Sequence, residues 1–481
     1  MEIDFLRHFH FTASQLEVLQ KAYGPRLLPL QERVIEENHL LDGRSLLLCA
    51  PTSSGKTFLA EILFLSHVLK NRKVILLVPT KALASQRHEQ LRQRYEPLGY
   101  EIVLSTRDHP FHDKRILEGR FHLAVMIYEK LEPLLRLSPA LLAGVGACVI
   151  DEIHYLFDPN RGPDLEVLLT RLRDEASVQL LGLSAVVSDP AIARWLKADL
   201  LVERARPVEL RQGVLCGNRF TYTEFNTGQE GHETFPFDPP ENEAELMRQT
   251  ALYFAARGEI TLLFWPRRDL CYTFARKLAE TYEPDPDWNG AALEALEPTF
   301  LHDFLALLLP RRVAVHTSDL SQEERRVVES AIQKGEVVLI CATGTLAEGI
   351  NFPVINVLTT QRMYASNVDE KSQGRPPAAL PIPQDRLFNM VGRAGRLGLS
   401  DFGRGMIVTQ SPGDVDGLLG LYAAGQAPQF EPWLHRIDLA TVILKLMGDC
   451  GYFTLEGCLE RLHSTLSGQW NRFLGDLAEK T

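Results

Sequence analysis

Two doubly wound α/β domains in tandem, followed by a small helical unit, are predicted by three observations. Short β-rich apolar runs alternate with helical segments. These runs are apolar throughout, which suits parallel strands covered by helices on both faces. The pattern also occurs twice, on either side of a polar stretch. With 481 residues, 45% of them hydrophobic, the chain can bury more than one core, and at roughly 150 residues per domain about three units are expected.

The first set of apolar runs covers residues 45–49, 73–79, 121–128, 147–150 and 178–183. Residues 218–243, "NRFTYTEFNTGQEGHETFPFDPPENE", then turn polar, acidic and Pro- and Gly-containing, which reads as a linker or long loop. The second set covers 260–265, 312–317, 337–342, 355–360 and 406–409. From about residue 413 strand signals fade and apolar residues fall at helical spacing, as in "LATVILKLM" and "LEGCLERLHSTL". The expected division is an N-terminal segment 1–24, a first domain 25–210, a linker 211–244, a second domain 245–412 and a helical unit 413–481.

Composition excludes several classes. No apolar run approaches the roughly 20 residues of a bilayer span, and "MEIDFLRHFHF" lacks the basic-then-apolar layout of a signal peptide, so a cytoplasmic location without membrane contact is expected. The seven cysteines contain no C-x-x-C pair and mostly sit in apolar runs, as small buried thiols do. A net charge of -11 argues against a generally basic nucleic-acid coat. A local groove remains open, since backbone N–H groups and a few placed side chains can hold phosphates.

The chemistry begins at "LCAPTSSGKTFLAEI", residues 48–62. A strand, a turn and an amphipathic helix follow one another, and a helix N-terminus offers unpaired N–H groups and a positive dipole end to an anion. Lys56 is placed to neutralise phosphates and Thr57 to ligate Mg²⁺. The general pattern G-x-x-x-x-G-K-[ST] has glycine where this chain has Ala50, so the loop alone does not decide the matter. At "ACVIDEIH" an apolar strand ends in Asp151 and Glu152. This puts adjacent carboxylates at the carboxyl edge of the sheet, Asp151 to hold the cation and Glu152 to polarise water. The competing reading is an ordinary acidic helix start. Ser184 follows another buried strand in "LLGLSAVVSD", where it could sense a γ-phosphate. In "NMVGRAGRLG", Arg393 and Arg396 share one helical face and can stabilise transition-state charge, against the alternative of a plain basic helix.

The motifs "APTSSGKT", "VPTKALASQ", "YEKLEPLLR", "DEIH", "LSAV", "HTSDLSQEER", "CATGTLAEGINFPV" and "NMVGRAGR" together resemble those of superfamily 2 DExH-box helicases. The likeness is to the Ski2-like branch of archaeal repair helicases, the polymerase theta helicase domain and exosome-feeding RNA helicases. It covers about residues 25–410. In this family alanine opens the phosphate loop, as Ala50 does here.

The resemblance implies two RecA-like domains and an ATP site made by Gln31, which would read adenine, with Thr52, Ser53, Ser54, Gly55, Lys56, Thr57 and Gly349. Thr57 and Asp151 would bind Mg²⁺, and Lys56, Glu152, Arg393 and Arg396 would carry hydrolysis. Thr80, Lys81, Asp108, Glu129, Lys130, Thr343 and Thr345 fall in segments that contact or shape a nucleic-acid track. Such contacts read phosphate and sugar and confer little sequence preference. Two departures stand out: Ile127 replaces a frequent threonine, and Asn389 replaces a usual glutamine. Residues 361–385 occupy the place of a strand-separating hairpin and read equally as a Pro-rich loop, with Tyr364 a candidate stacking residue.

The C-terminal stretch resembles the start of a winged-helix module. The chain stops at Thr481, ahead of the helical ratchet domain of family members, so the expectation is either a minimal or truncated motor or a protein partner that supplies the clamp. The function expected is that of an ATP-dependent helicase or translocase on single-stranded or forked nucleic acid. DNA is preferred slightly over RNA, with 3′ to 5′ stepping implied by the family. The alternatives are an RNA helicase of RNA processing or decay and an ATP-gated clamp or remodelling subunit that separates no strands.

Overall fold

The computed structural model describes residues 1–51, 54–106, 110–174, 178–344, 352–364, 379–382, 384–395, 400–423, 431–447 and 454–470. It forms two compact units, Met1–Arg204 together with Ala427–Thr481, and Ala205–Gln426. No helix of the described residues is long and apolar enough to cross a membrane.

The first unit is built on β1 (Leu46–Cys49), β2 (Lys73–Val78), β3 (Ile102–Ser105), β4 (Leu123–Ile127), β5 (Val145–Ile150), β6 (Gln179–Ser184) and β7 (Asp199–Val202). Every pairing is parallel, in the order β3-β4-β2-β5-β6-β1-β7. Its helices include α1 (Ala13–Tyr23), α2 (Pro29–Glu36), α3 (Lys56–Val68), α4 (Lys81–Tyr95), α5 (Asp113–Leu117), α6 (Tyr128–Leu137), α7 (Gly162–Asp174) and α8 (Pro190–Trp195). The runs are apolar throughout because successive side chains serve two cores. Leu46, Leu48, Leu76, Val149 and Leu181 pack with Phe58, Leu59 and Ile62 of α3. Their neighbours Leu47, Leu77, Cys148, Ile150 and Leu180 pack on the opposite face with Leu131 of α6 and Leu168 of α7.

Residues 1–24 are integral to this unit instead of forming a separate segment. Ile3, Leu6, Phe11, Leu16 and Leu19 lie in the same core as α3, and each such burial stabilises by about 1.5–3 kcal/mol. A capping box fixes the start of α1, the Thr12 side chain accepting from Gln15 N and the Gln15 side chain accepting from Thr12 N.

The second unit contains β8 (Glu209–Cys216), β9 (Arg219–Glu224), β10 (Glu230–Thr234), β11 (Thr261–Trp265), β12 (Val313–His316), β13 (Leu339–Thr343), β14 (Asn356–Thr359) and β17 (Phe402–Thr409). The sheet order is β10-β9-β8-β17-β14-β11-β13-β12. From β8 to β12 the pairings are parallel, the doubly wound pattern again. The expected linker 211–244 is a correction: most of β8, all of β9 and all of β10 fall within it, and β9 and β10 extend the sheet beyond β8 in antiparallel fashion. The reason lies in the side-chain alternation of β9, whose Phe220 and Tyr222 are buried while Arg219 is exposed. Gly217 at φ +61 and Asn218 form the two-residue turn that joins β8 to β9.

In the segment where a hairpin and a loop were both open, β15 (Arg362–Tyr364) pairs antiparallel with β16 (Ala379–Pro381). The Ile382 N–H also donates to the Gln361 carbonyl at 3.0 Å, so a paired ribbon is present. The helical tail divides. Leu418, in helix Val415–Ala423, packs against Leu387, Val391 and Ile407 of the second unit. Helices Leu439–Met447, Leu455–Ser464 and Leu466–Gln469 group with the first.

Candidate active site

The phosphate-type loop leaves the carboxyl end of β1 and enters α3. Gly55 caps that helix at φ +87, a conformation that favours glycine, and a Cβ there would have to displace the Gln31 amide, whose Nε2 lies 2.3 Å from its position. Gln31, buried in α2, accepts from Leu28 N at 2.8 Å and donates to the Gly55 carbonyl at 3.4 Å, which ties the upstream glutamine to the start of α3. The Lys56 ammonium donates to the carbonyls of Ala50 and Pro51 at 2.5 and 2.9 Å, and the Ser54 hydroxyl donates to Pro51 O at 2.7 Å. Ala50 is fully buried, and its N–H donates to the Ser184 carbonyl at 2.9 Å. The Ser184 hydroxyl accepts from Val186 N and Val187 N at 3.1 and 3.0 Å, shaping the turn after β6.

Sheet order brings the second half of the site alongside. β5 and β1 both flank β6, so Asp151, directly after β5, emerges at the same edge as the loop after β1. The Glu152 N–H donates to Asp151 Oδ1 at 3.1 Å and the Asp151 N–H to the Leu77 carbonyl at 2.9 Å. Glu152 adopts φ 54, the left-handed region, and its Oε2 lies 3.2 Å from His154 Nδ1. The Tyr128 hydroxyl donates to the carbonyls of both Asp151 and Glu152, the latter at 3.2 Å. Burial first, and then the Glu152 charge, push the Asp151 carboxyl above its usual range, while Arg87 and Lys56 pull it back.

Thr57 and Asp151 line one cavity with Glu61 and Arg87. A hydroxyl and a carboxylate are the hard oxygen donors that suit Mg²⁺ completed by phosphate oxygens and water, so the residues fit the cation. Such an arrangement can cradle a phosphate chain and place a carboxylate, Glu152, beside it to take a proton.

The other expected residues are distributed along the same edge and in the second unit. Thr80 follows β2 and caps α4, its hydroxyl accepting from Leu83 N at 3.2 Å, and Lys81 is the first residue of that helix. Glu129 accepts from Arg161 Nε at 2.7 Å and Lys130 donates to Asp113 Oδ2 at 2.5 Å, so this pair braces α6 against its surroundings. Ile127 caps α6 without a side-chain hydrogen bond, consistent with a missing hydroxyl. In the second unit Thr343 ends β13, Asn389 lies in helix Gln384–Val391, and Arg393 follows that helix. Thr52, Ser53, Asp108, Thr345, Gly349 and Arg396 lie outside the described residues.

Three contributors were not singled out from the sequence. Arg87 donates to Thr57 Oγ1 at 3.0 Å, Tyr128 clasps the Asp151–Glu152 backbone, and Arg161 lies over the Tyr128 and Tyr155 rings at 5.2 and 4.9 Å. Tyr128 falls inside the quoted "YEKL" motif. Arg87 carries only a helical offset from Thr80, which says nothing about its long-range partner.

Residues 28–194 match the DEAD/DEAH box helicase family and residues 294–398 the helicase conserved C-terminal domain family. An ATP-dependent DNA helicase Hel308 of Pyrobaculum calidifontis is 34% identical over 423 residues, covering 86% of this chain and 56% of the relative. The protein of the same name from Caldivirga maquilingensis is 33% identical, with 82% and 51% covered, and that of Pyrococcus abyssi 30% identical, with 93% and 60% covered. The chain thus spans a little over half the length of these curated relatives. By its motifs, its two RecA-like sheets and these matches, the chain belongs to the superfamily 2 DExH-box helicases, in their Ski2-like branch.

Proposed function

We propose that the chain is a Mg²⁺-dependent ATPase motor that moves along single-stranded DNA and separates forked strands, in the service of genome maintenance. The observation that carries this reading is the convergence of Lys56, Thr57, Asp151 and Glu152 at the carboxyl ends of β1 and β5, which flank β6, while Thr80 and Lys81 follow the neighbouring β2. Lys56 exchanges its loop carbonyls for the β- and γ-phosphates, and the α3 N-terminus adds its dipole. Thr57 and Asp151 would hold Mg²⁺, which would supply neutralisation of phosphate charge there. Glu152 takes the proton of the attacking water, whose oxygen forms the bond to the γ-phosphorus as the bond to the ADP oxygen breaks. Arg393 and Arg396 keep the role given by the resemblance, stabilising transition-state charge.

Thr80 and Lys81 at the head of α4, with Asp108, Glu129, Lys130, Thr343 and Thr345, form the proposed track for the phosphate backbone. The relatives named as DNA helicases favour DNA over RNA as the polymer. A fork with a single 3′ or 5′ tail, made in DNA and in RNA, tests the reading. Strand separation of the 3′-tailed DNA fork in the presence of ATP and Mg²⁺ is expected. Polymer-stimulated turnover without separation of any fork would favour an ATP-gated clamp instead, and a preference for the RNA fork an RNA helicase.

A further inference from the structure

Arg206 lies outside every motif and comes two residues after the end of the first unit. Its side chain is nonetheless almost wholly enclosed, the residue being 7% exposed. A guanidinium taken out of water is expensive unless its donors are used. Arg206 Nη2 donates to the carbonyl oxygens of Gly392 at 3.1 Å and Ala394 at 2.9 Å. These are the two residues on either side of Arg393.

The same turn is held from other directions. Gly395 sits at φ +80 and its N–H donates to the Val354 carbonyl at 3.1 Å. A Cβ on Gly403 of β17 would meet Gly395 N at 2.2 Å, so the β17 backbone closes directly onto the turn. Arg206 is itself clamped. Its N–H donates to Asn226 Oδ1 at 2.8 Å, and Asn226 Nδ2 returns a bond to the Arg206 carbonyl at 3.0 Å. Asn226 lies in the loop joining β9 to β10, and its own N–H donates to Glu209 Oε1 at 2.9 Å. The antiparallel extension of the second sheet therefore supplies the anchor for Arg206, and Arg206 supplies the floor under Arg393.

We infer that Arg206 is a positioning residue that fixes the Gly392–Ala394 turn and so sets where the Arg393 guanidinium is presented for ATP hydrolysis. Both bonds leave the one nitrogen Nη2, so a lysine ammonium, on a shorter stem and without the fixed plane of the guanidinium, can replace them only in part. Burial draws the Arg206 guanidinium below its ordinary range, and the Glu209 charge offsets this only in part. The inference rests on the proposed role of Arg393, and two independent readouts separate them.

The first readout is hydrogen–deuterium exchange on the full chain. In Arg206→Met, amides of the 391–395 turn should exchange faster while those of β11 and β13 are unchanged. Unaltered exchange across the turn would overturn the positioning claim whatever Arg393 does. The second is a double-mutant cycle in DNA-stimulated ATP hydrolysis. Arg206→Met should lower kcat about tenfold or more with KM for ATP within about twofold, and Arg206→Lys should recover part of the loss. Combined with Arg393→Ala it should add almost nothing, because the two act as a unit. Multiplying losses would overturn the inference. Faster turn exchange together with an Arg393→Ala variant of normal turnover would instead defeat the role given to Arg393. Should Arg206→Met fail to fold, Arg206→Lys carries both measurements.

Discussion

Glu152 is held at φ 54, a conformation that costs a non-glycine residue about 1–2 kcal/mol. The surroundings over-determine it. Its N–H donates to Asp151, its carbonyl accepts from Tyr128, and its carboxylate lies beside His154. Strain kept in this way fixes the aim of the Glu152 carboxylate beside Asp151, as the proposed division between base and cation ligand requires. Glu152→Gln retains the shape and the backbone contacts and removes the proton acceptor. Turnover should fall about 10²–10⁴-fold with nucleotide affinity preserved, measured by single-turnover hydrolysis beside fluorescent-nucleotide binding. Unchanged turnover would place the base elsewhere. At this scale the motif residues were legible because strand–loop–helix chemistry is local. Arg87 and Arg206 were not, since their partners, Thr57 and the Gly392–Ala394 carbonyls, are brought near only by the fold.

Helix α7 shows what packing adds to pattern. Glu166 on that helix is fully buried and accepts from Ser467 N at 2.6 Å and Ser467 Oγ at 2.9 Å, while Arg173 of the same helix donates to the Ser464 carbonyl at 2.6 Å. Burial pushes the Glu166 carboxyl up to about 7, and the Ser467 bonds only partly offset this. The folded value lies above the unfolded one, so the stabilising contribution is full below the ordinary carboxylate range and is lost as pH rises through about 7. Thermal melts should accordingly fall between about pH 4.5 and 7 in the wild type, with a flatter profile in Glu166→Gln. An identical slope in both proteins would contradict this. The residues 465–470 were legible as helical but not as a segment seated on α7, because "EVLLTRL" reads as an ordinary amphipathic helix. The strands of the second sheet's extension were missed for a related reason: polar composition around β9 and β10 outweighed the period-two burial of Phe220 and Tyr222.

Across the whole molecule, two sheets with parallel cores follow from runs that are apolar without alternation, and that much was readable from hydrophobic pattern alone. The missing glycine at Ala50 is likewise explained by place: its small side chain is wholly buried where the loop leaves β1, and its N–H donates to the Ser184 carbonyl at the end of β6. The central claim is that nucleic acid and nucleotide are coupled in one motor. Steady-state ATP hydrolysis with no polymer, with single-stranded DNA and with single-stranded RNA tests it most directly. Turnover should rise severalfold with single-stranded DNA and less with RNA; equal turnover in all three conditions would contradict the account.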